Sequence, residues 1–256
     1  MNFSLRFAKT FLTGLLLLSS AACFVSPVSL PPTQTPTPSP TLTPTPVWFP
    51  PSATPSPFPT LAVSPTVDLR TGIGALLLED DFSEVGPWST GNDDEATVLV
   101  DNGLINLSLK SRDGDVYTTR TEPVFKDFYV EVTANPNFCR GEDKYGLVLR
   151  ASEDVHYRLV LSCDGRARVE RYNSGGLSPL VSWVESGAVP AVAPSSSRLA
   201  AWASGSQMHF FVNELYLFSV SDTSLFEGTL GVFAHTAGEE DMSVSFSDLQ
   251  VWAVVR

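Results

Sequence analysis

From residue 73 onward, apolar and polar residues alternate with a period of two, in short runs interrupted by glycine, asparagine and aspartate. Successive side chains of a strand point to opposite sides, so such alternation sets one apolar row against a core and one polar row in water. The segments DFYVEVTA, KYGLVLRA, HYRLVLSC, ARVERY, RLAAWAS, MHFFVN, YLFSVS, TLGVFAH and VSFSDLQVW read as strands on this pattern. ATVLVDNGLINLSL reads as two more around a tight Asn102-Gly103 turn, because both residues tolerate the positive φ that a two-residue hairpin requires. No stretch sustains a helical period. Many short strands with no interleaved helices predict an all-β fold, an antiparallel jelly-roll sandwich over residues 73–256.

One hairpin can be placed in register. With Cys163, Asp164 and Gly165 as its loop and Gly165 left-handed, Leu161 faces Ala167, Leu159 faces Val169 and Arg158 faces Glu170. A slip of one residue would set Leu159 against Glu170, so the hydrophobic pattern selects the register. Carried into the preceding strand, the alternation turns Leu147, Leu149, Tyr157, Leu159, Leu161 and Val169 to the core. Arg150, His156, Arg158, Arg168, Glu170 and Tyr172 then share the opposite face. Cys139 precedes the hairpin and Cys163 sits at its far end, a placement compatible with a bridge; two buried thiols are the alternative.

The N-terminal part is built differently. In residues 1–22, Arg6 and Lys9 precede an apolar run from Phe11 to Leu18, followed by Ser19, Ser20, Ala21 and Ala22, the layout of a signal peptide. That run is too short to cross a hydrocarbon core of ~30 Å comfortably. No charged residue occurs between Ser26 and Val67, where PTQTPTPSPTLTPTP dominates. Such composition buries too little apolar surface to offset chain entropy, so residues 23–72 are predicted to form an unstructured Pro/Thr/Ser-rich stalk. In polyproline II geometry the uncharged stretch from Ser26 to Val67 reaches on the order of 100 Å.

The small residues directly before Cys23 resemble the lipobox of bacterial lipoproteins, although that pattern usually has Leu where this chain has Ser20. The resemblance implies acylation of Cys23 and an extracytoplasmic protein held at the bacterial cell membrane by lipid, which stable anchoring requires in more than one chain. Ordinary secretion is the alternative. The chain has 3 cysteines, Cys23, Cys139 and Cys163; lipid on Cys23 leaves an even pair, able to form a disulfide outside the cytoplasm. Asp and Glu number 28 against 16 Lys and Arg, a net charge of −12. Nucleic acid is thereby a poor partner, since binding it depends on clustered cations that neutralise phosphates.

DDFSE with Trp88 after it, YGLVLRASEDVHYRLVLSCDGRARVERY, RLAAWASGSQMHFFVNELYLFSVSD, GTLGVFAH and VSFSDLQVW are similar to the concanavalin A-like lectin/glucanase jelly rolls. More narrowly they resemble domains of the family 16 glycoside hydrolase-like and 3-keto-disaccharide hydrolase-like kind. The resemblance implies that the first and last strands pair, and that a curved sheet carries glycans on its concave face in members that bind them. Mapped onto this chain, that face holds Arg150, His156, Arg158, Glu170 and Tyr172, against the plain alternative that they are the wet side of a sheet. Trp183 is the best exposed aromatic platform, because a flat ring covers the apolar face of a sugar; Tyr157 and Trp202 read as core by spacing.

Catalysis finds little support in motifs. Family 16 glucanases carry their carboxylates as E-x-D-x-E on one strand, and no such run occurs. There is no G-x-S-x-G elbow, H-E-x-x-H or C-x-x-C pair. Calcium is the one ion the residue types suggest, with Asp80, Asp81 and Asp248 brought together if the terminal strands pair. The expectation is a non-catalytic, lectin-like module that binds polysaccharide. A hydrolase acting on a modified disaccharide or glycan, and a structural or protein-interaction module, are the alternatives.

Overall fold

The computed structural model describes residues 68–110, 112–238 and 241–255. The expected signal peptide, Cys23 and most of the expected stalk lie outside the described residues.

Among the described residues sixteen strands follow one another: β1 (Ile73–Asp80), β2 (Gly91–Asn92), β3 (Ala96–Asp101), β4 (Leu104–Leu109), β5 (Asp115–Thr119), β6 (Phe128–Phe138), β7 (Lys144–Ser152) and β8 (Val155–Ser162). Then come β9 (Arg166–Asn173), β10 (Gly176–Pro179), β11 (Val184–Glu185), β12 (Ser197–Ser204), β13 (Gln207–Val212), β14 (Leu215–Ser221), β15 (Thr229–His235) and β16 (Met242–Val254). They form two antiparallel sheets. The 9-stranded sheet runs β14-β13-β12-β6-β16-β4-β3-β2, with β1 also on β16. The 7-stranded sheet runs β10-β9-β8-β7-β15-β5, with β11 on β9.

The sandwich follows from the alternation. Ile105 and Leu107 of β4, Phe128 and Val130 of β6, and Phe246 of β16 meet Leu147, Leu149, Tyr157 and Leu159 from the other sheet in one buried core. Each large apolar side chain taken out of water contributes roughly 1.5–3 kcal/mol, which is why the period-two pattern fixes which face turns inward. The hairpin of β8 and β9 adopts the expected register, with Arg158 opposite Glu170, Leu159 opposite Val169 and Leu161 opposite Ala167. Gly165 has φ +92°, as its loop demands. Asn102 and Gly103 both have positive φ in the β3–β4 turn.

The terminal strands pair as the family resemblance implies, Glu79 opposite Gln250 and Asp80 opposite Leu249. Cys139, just after β6, and Cys163, just after β8, form a disulfide with Cα atoms 5.8 Å apart, so the bond ties the two sheets together.

Three expectations are corrected. Residues 69–71, assigned to the stalk, pack on the 9-stranded sheet: Leu69 lies against Tyr129, Phe211 and Val254, and the Thr71 carbonyl accepts from Trp202 Nε1 at 2.8 Å. Trp202 is not core but stands half-buried on the outer face of β12, because its neighbours Ala201 and Ala203 are the inward residues. Arg150 leaves the outer face altogether. A bulge near the end of β7 gives it φ +49° and breaks the alternation, and its buried guanidinium donates to the carbonyls of Lys126, Gly205 and Leu225. It fastens the entrance to β6, the β12–β13 turn and the loop before β15 to one another.

Candidate functional site

The outer face of the 7-stranded sheet is set by the same alternation that builds the core. Its rows are given by register: Arg168, Val160, Gly146, Phe233 and Tyr117 run across β9, β8, β7, β15 and β5, and Ser162, Lys144, His235 and Asp115 form the next row. Val148, Val160 and Phe233 make a small apolar floor there, with Trp183 packed against it. Gly146 is required beneath that floor, since a Cβ would run into the Leu159 carbonyl oxygen and the Phe233 ring.

Arg158 lies across this floor and is only 1% exposed. Its guanidinium grips Asp115 with two bonds, of 2.8 and 2.9 Å, a fork geometry that fixes both partners. Nε of Arg158 donates to Nε2 of His156 at 3.0 Å, which makes His156 an acceptor and places its proton on Nδ1. The rings of Phe233, Tyr172 and Tyr117 sit 4.6, 5.3 and 5.6 Å from the guanidinium carbon. His156 stacks on Tyr172 with centroids 4.8 Å apart and meets Tyr117 at 5.3 Å. β5 and β8 are three strand spacings apart, about 14 Å in a flat sheet. The contact between Tyr117 and His156 across that span means the sheet curls and the face is concave.

Electrostatics follows from this packing. Burial pushes the Asp115 carboxyl up, but the hydrogen bonds and charge of His235 and Arg158 outweigh it and hold the pKa at about 2. Burial first, and the charge of Arg158 second, push His156 down to about 4 against the pull of Asp115. Glu170 pairs with Arg168 rather than with Arg158. Trp183 receives Arg168 at 4.2 Å and Arg166 at 4.9 Å from its ring. Asp164, in the β8–β9 loop, is likewise held below its ordinary value, by hydrogen bonds from Arg166 and Ser162.

The comparisons with known proteins agree with this architecture. A carbohydrate-binding module, CBM66 from Bacillus subtilis, superposes with a TM-score of 0.53 at 15% identity, over 66% of this chain and 96% of that one. A Bacillus subtilis protein of galectin-like fold superposes at 0.57 and 15% identity, over 72% of this chain and 98% of its own. The catalytic domain of an endo-1,3-β-glucanase, a laminarinase from Thermotoga petrophila, superposes at 0.51 and 10% identity, over 71% and 98%. The fold is a concanavalin A-like sandwich. No protein-family model matches the chain, and no curated protein matches it in sequence.

Of the residues singled out in the sequence, His156, Arg158, Glu170, Tyr172 and Trp183 do come together on the concave face. Arg150 does not. Asp115, Tyr117, Phe233 and His235 were missed: DVYTT is too short and polar to announce a strand, yet its alternation puts Asp115 and Tyr117 on one side. The proposed calcium trio is not assembled. Asp80 holds Arg120, Trp88 Nε1 and the Phe82 amide, while Asp81 takes the Ser83 amide and Asp248 the Ser247 hydroxyl. Among the described residues no three His, Cys, Asp or Glu side chains gather into a metal-holding group.

Proposed function

We propose that this chain is a surface-anchored protein whose sandwich domain binds carbohydrate, without transforming it, on the concave face of the 7-stranded sheet. The observation that carries the reading is the triad of partly exposed rings, Tyr117, Tyr172 and Trp183, held around a buried charged network. Rings of this kind cover the apolar face of a pyranose while their edges stay in water. Tyr117 is 42% exposed and offers the most open platform. Around the rings, Asp115, Arg168 and His235 supply donors and acceptors for hydroxyl groups. Because Tyr117 and Tyr172 are already packed on Arg158 and His156, and Trp183 on Arg166 and Arg168, little side-chain entropy remains to be lost on binding. Similarity of fold to a carbohydrate-binding module supports the reading, and the lipobox-like residues before Cys23 support the anchor.

The test is a glycan array and calorimetric titration with the purified chain, product release being followed in the same samples. Binding without released sugar, weakened about tenfold or more in Tyr117→Ala with an unchanged melting curve, is the expected outcome. Binding that survives in Tyr117→Ala and Trp183→Ala would move the ligand off this face, and released sugar would make the protein a hydrolase.

A further inference from the structure

We infer that the concave face selects neutral, hydroxyl-rich saccharides and rejects uronic and sialic acids, an inference that rests on the carbohydrate-binding reading above. Arginine on a sugar-binding surface ordinarily suggests an acidic ligand, since its fork matches a carboxylate. Here each arginine of the face already has a carboxylate. Arg158 holds Asp115 through both nitrogens, Arg168 holds Glu170, and Arg166 holds Asp164 and Glu142. Lys144 stands in register with His235, with Asp115 beyond it on β5. Glu185 lies opposite Arg166 on β11 and is exposed. Four cations therefore meet five carboxylates on or beside the face, before the chain's net charge of −12 is added.

For an anionic sugar to reach the buried guanidinium of Arg158 it would have to displace Asp115, whose side chain is 33% exposed, from the bidentate pair and leave that carboxylate with His235 alone. The exchange sets one carboxylate in place of another on Arg158, so it gains no new ion pair and still costs the desolvation of the incoming anion. The net field also repels anions on approach. A neutral sugar needs neither. It can lay a ring on Tyr117 and take single hydrogen bonds at the outer edges of ion pairs that remain intact.

The decisive measurement titrates the purified chain with neutral hexaoses, of the cello-, xylo- and laminari- series, and with oligogalacturonate and oligomannuronate of the same length. The neutral ligands are expected to bind with a Kd that changes less than about twofold between 0.05 and 0.5 M salt, because no ion pair forms. The uronates are expected to bind at least about tenfold more weakly than the best neutral ligand. Asp115→Asn and, independently, Glu170→Gln each release a guanidinium, and uronate affinity is expected to rise in at least one folded variant. Tighter, salt-sensitive binding of uronates by the native chain would overturn the selectivity while leaving the carbohydrate reading in place, provided Tyr117→Ala abolishes it. No binding of either class would overturn both.

Discussion

The two outer faces of the sandwich present aromatic rings in different company. On the 7-stranded sheet, Tyr117, Tyr172 and Trp183 are held over a buried arginine and its carboxylate. On the 9-stranded sheet, Tyr129 meets Trp252, Trp202 stacks on His209, Phe211 packs into the same cluster, and the chain covers part of it with its own residues 69–71. The polar groups there, Glu131, Arg198 and Gln250, form a half-exposed ladder rather than a buried fork. Alternation alone makes both faces. What separates them is curvature: where the sheet curls, side chains from strands three apart meet, and charge becomes buried without entering the core.

Breaking the concave network should therefore cost most. Arg158→Ala removes a buried guanidinium from its ring contacts, from His156 and from the half-exposed Asp115, and is expected to destabilise the domain by about 2–4 kcal/mol. In thermal unfolding that corresponds to a fall of roughly 10 °C for a domain of this size. A drop of only a degree or two would mean that the buried guanidinium holds little together and that the two faces do not differ as described.

A pH titration sharpens the same contrast. The unfolded chain takes up a proton on His156 near its ordinary 6.5, whereas the folded chain does so only near about 4. The unfolded state therefore binds more protons in between, so this contribution to stability is full above pH 6.5 and declines as pH falls toward 4, by up to about 3 kcal/mol. Asp115 acts lower: its stabilisation is present above 3.8 and is lost as pH falls through about 2. In urea melts, His156→Gln is expected to flatten the slope between pH 6.5 and 4 while keeping an acceptor for Arg158. An unchanged slope would refute the assignment. His209, on the other face, is also lowered by burial but has Ser219 as its partner and no arginine against it, so His209→Gln should alter the slope less.

Much of this was legible in the sequence, and the misses have physical reasons. The core face of β7, β8 and β9 could be read residue by residue, because period two and a defined loop leave one register. The Cys139–Cys163 pairing was open to reading because the two cysteines bracket that hairpin. Arg150 misled, since a bulge reverses which way a residue points and nothing in YGLVLRAS marks one. Asp115 as the partner of Arg158 was out of reach for a different reason: the pair spans three strands and depends on sheet curvature, a property of the assembled fold rather than of any segment. Glu170, the neighbour that register offered, turns instead to Arg168 on its own strand.

Trp202→Ala removes a half-buried ring from His209 and from the Thr71 carbonyl and should cost about 1–2 kcal/mol, less than a fully buried aromatic would. Sugar binding should stay intact, since the ring lies on the opposite sheet.

The smallest effect tests whether the ladder on that sheet is as loose as its exposure suggests. Arg198 pairs with Glu131 and reaches Gln250 at 3.2 Å, with its side chain 34% exposed. Solvent screens such a pair and holding it fixed costs side-chain entropy, so Arg198→Ala is expected to lose less than about 1 kcal/mol in chemical denaturation. The loss should shrink further at high salt. A loss near that of Arg158→Ala would mean that burial of charge is not what distinguishes the faces, and the explanation from curvature would fail with it.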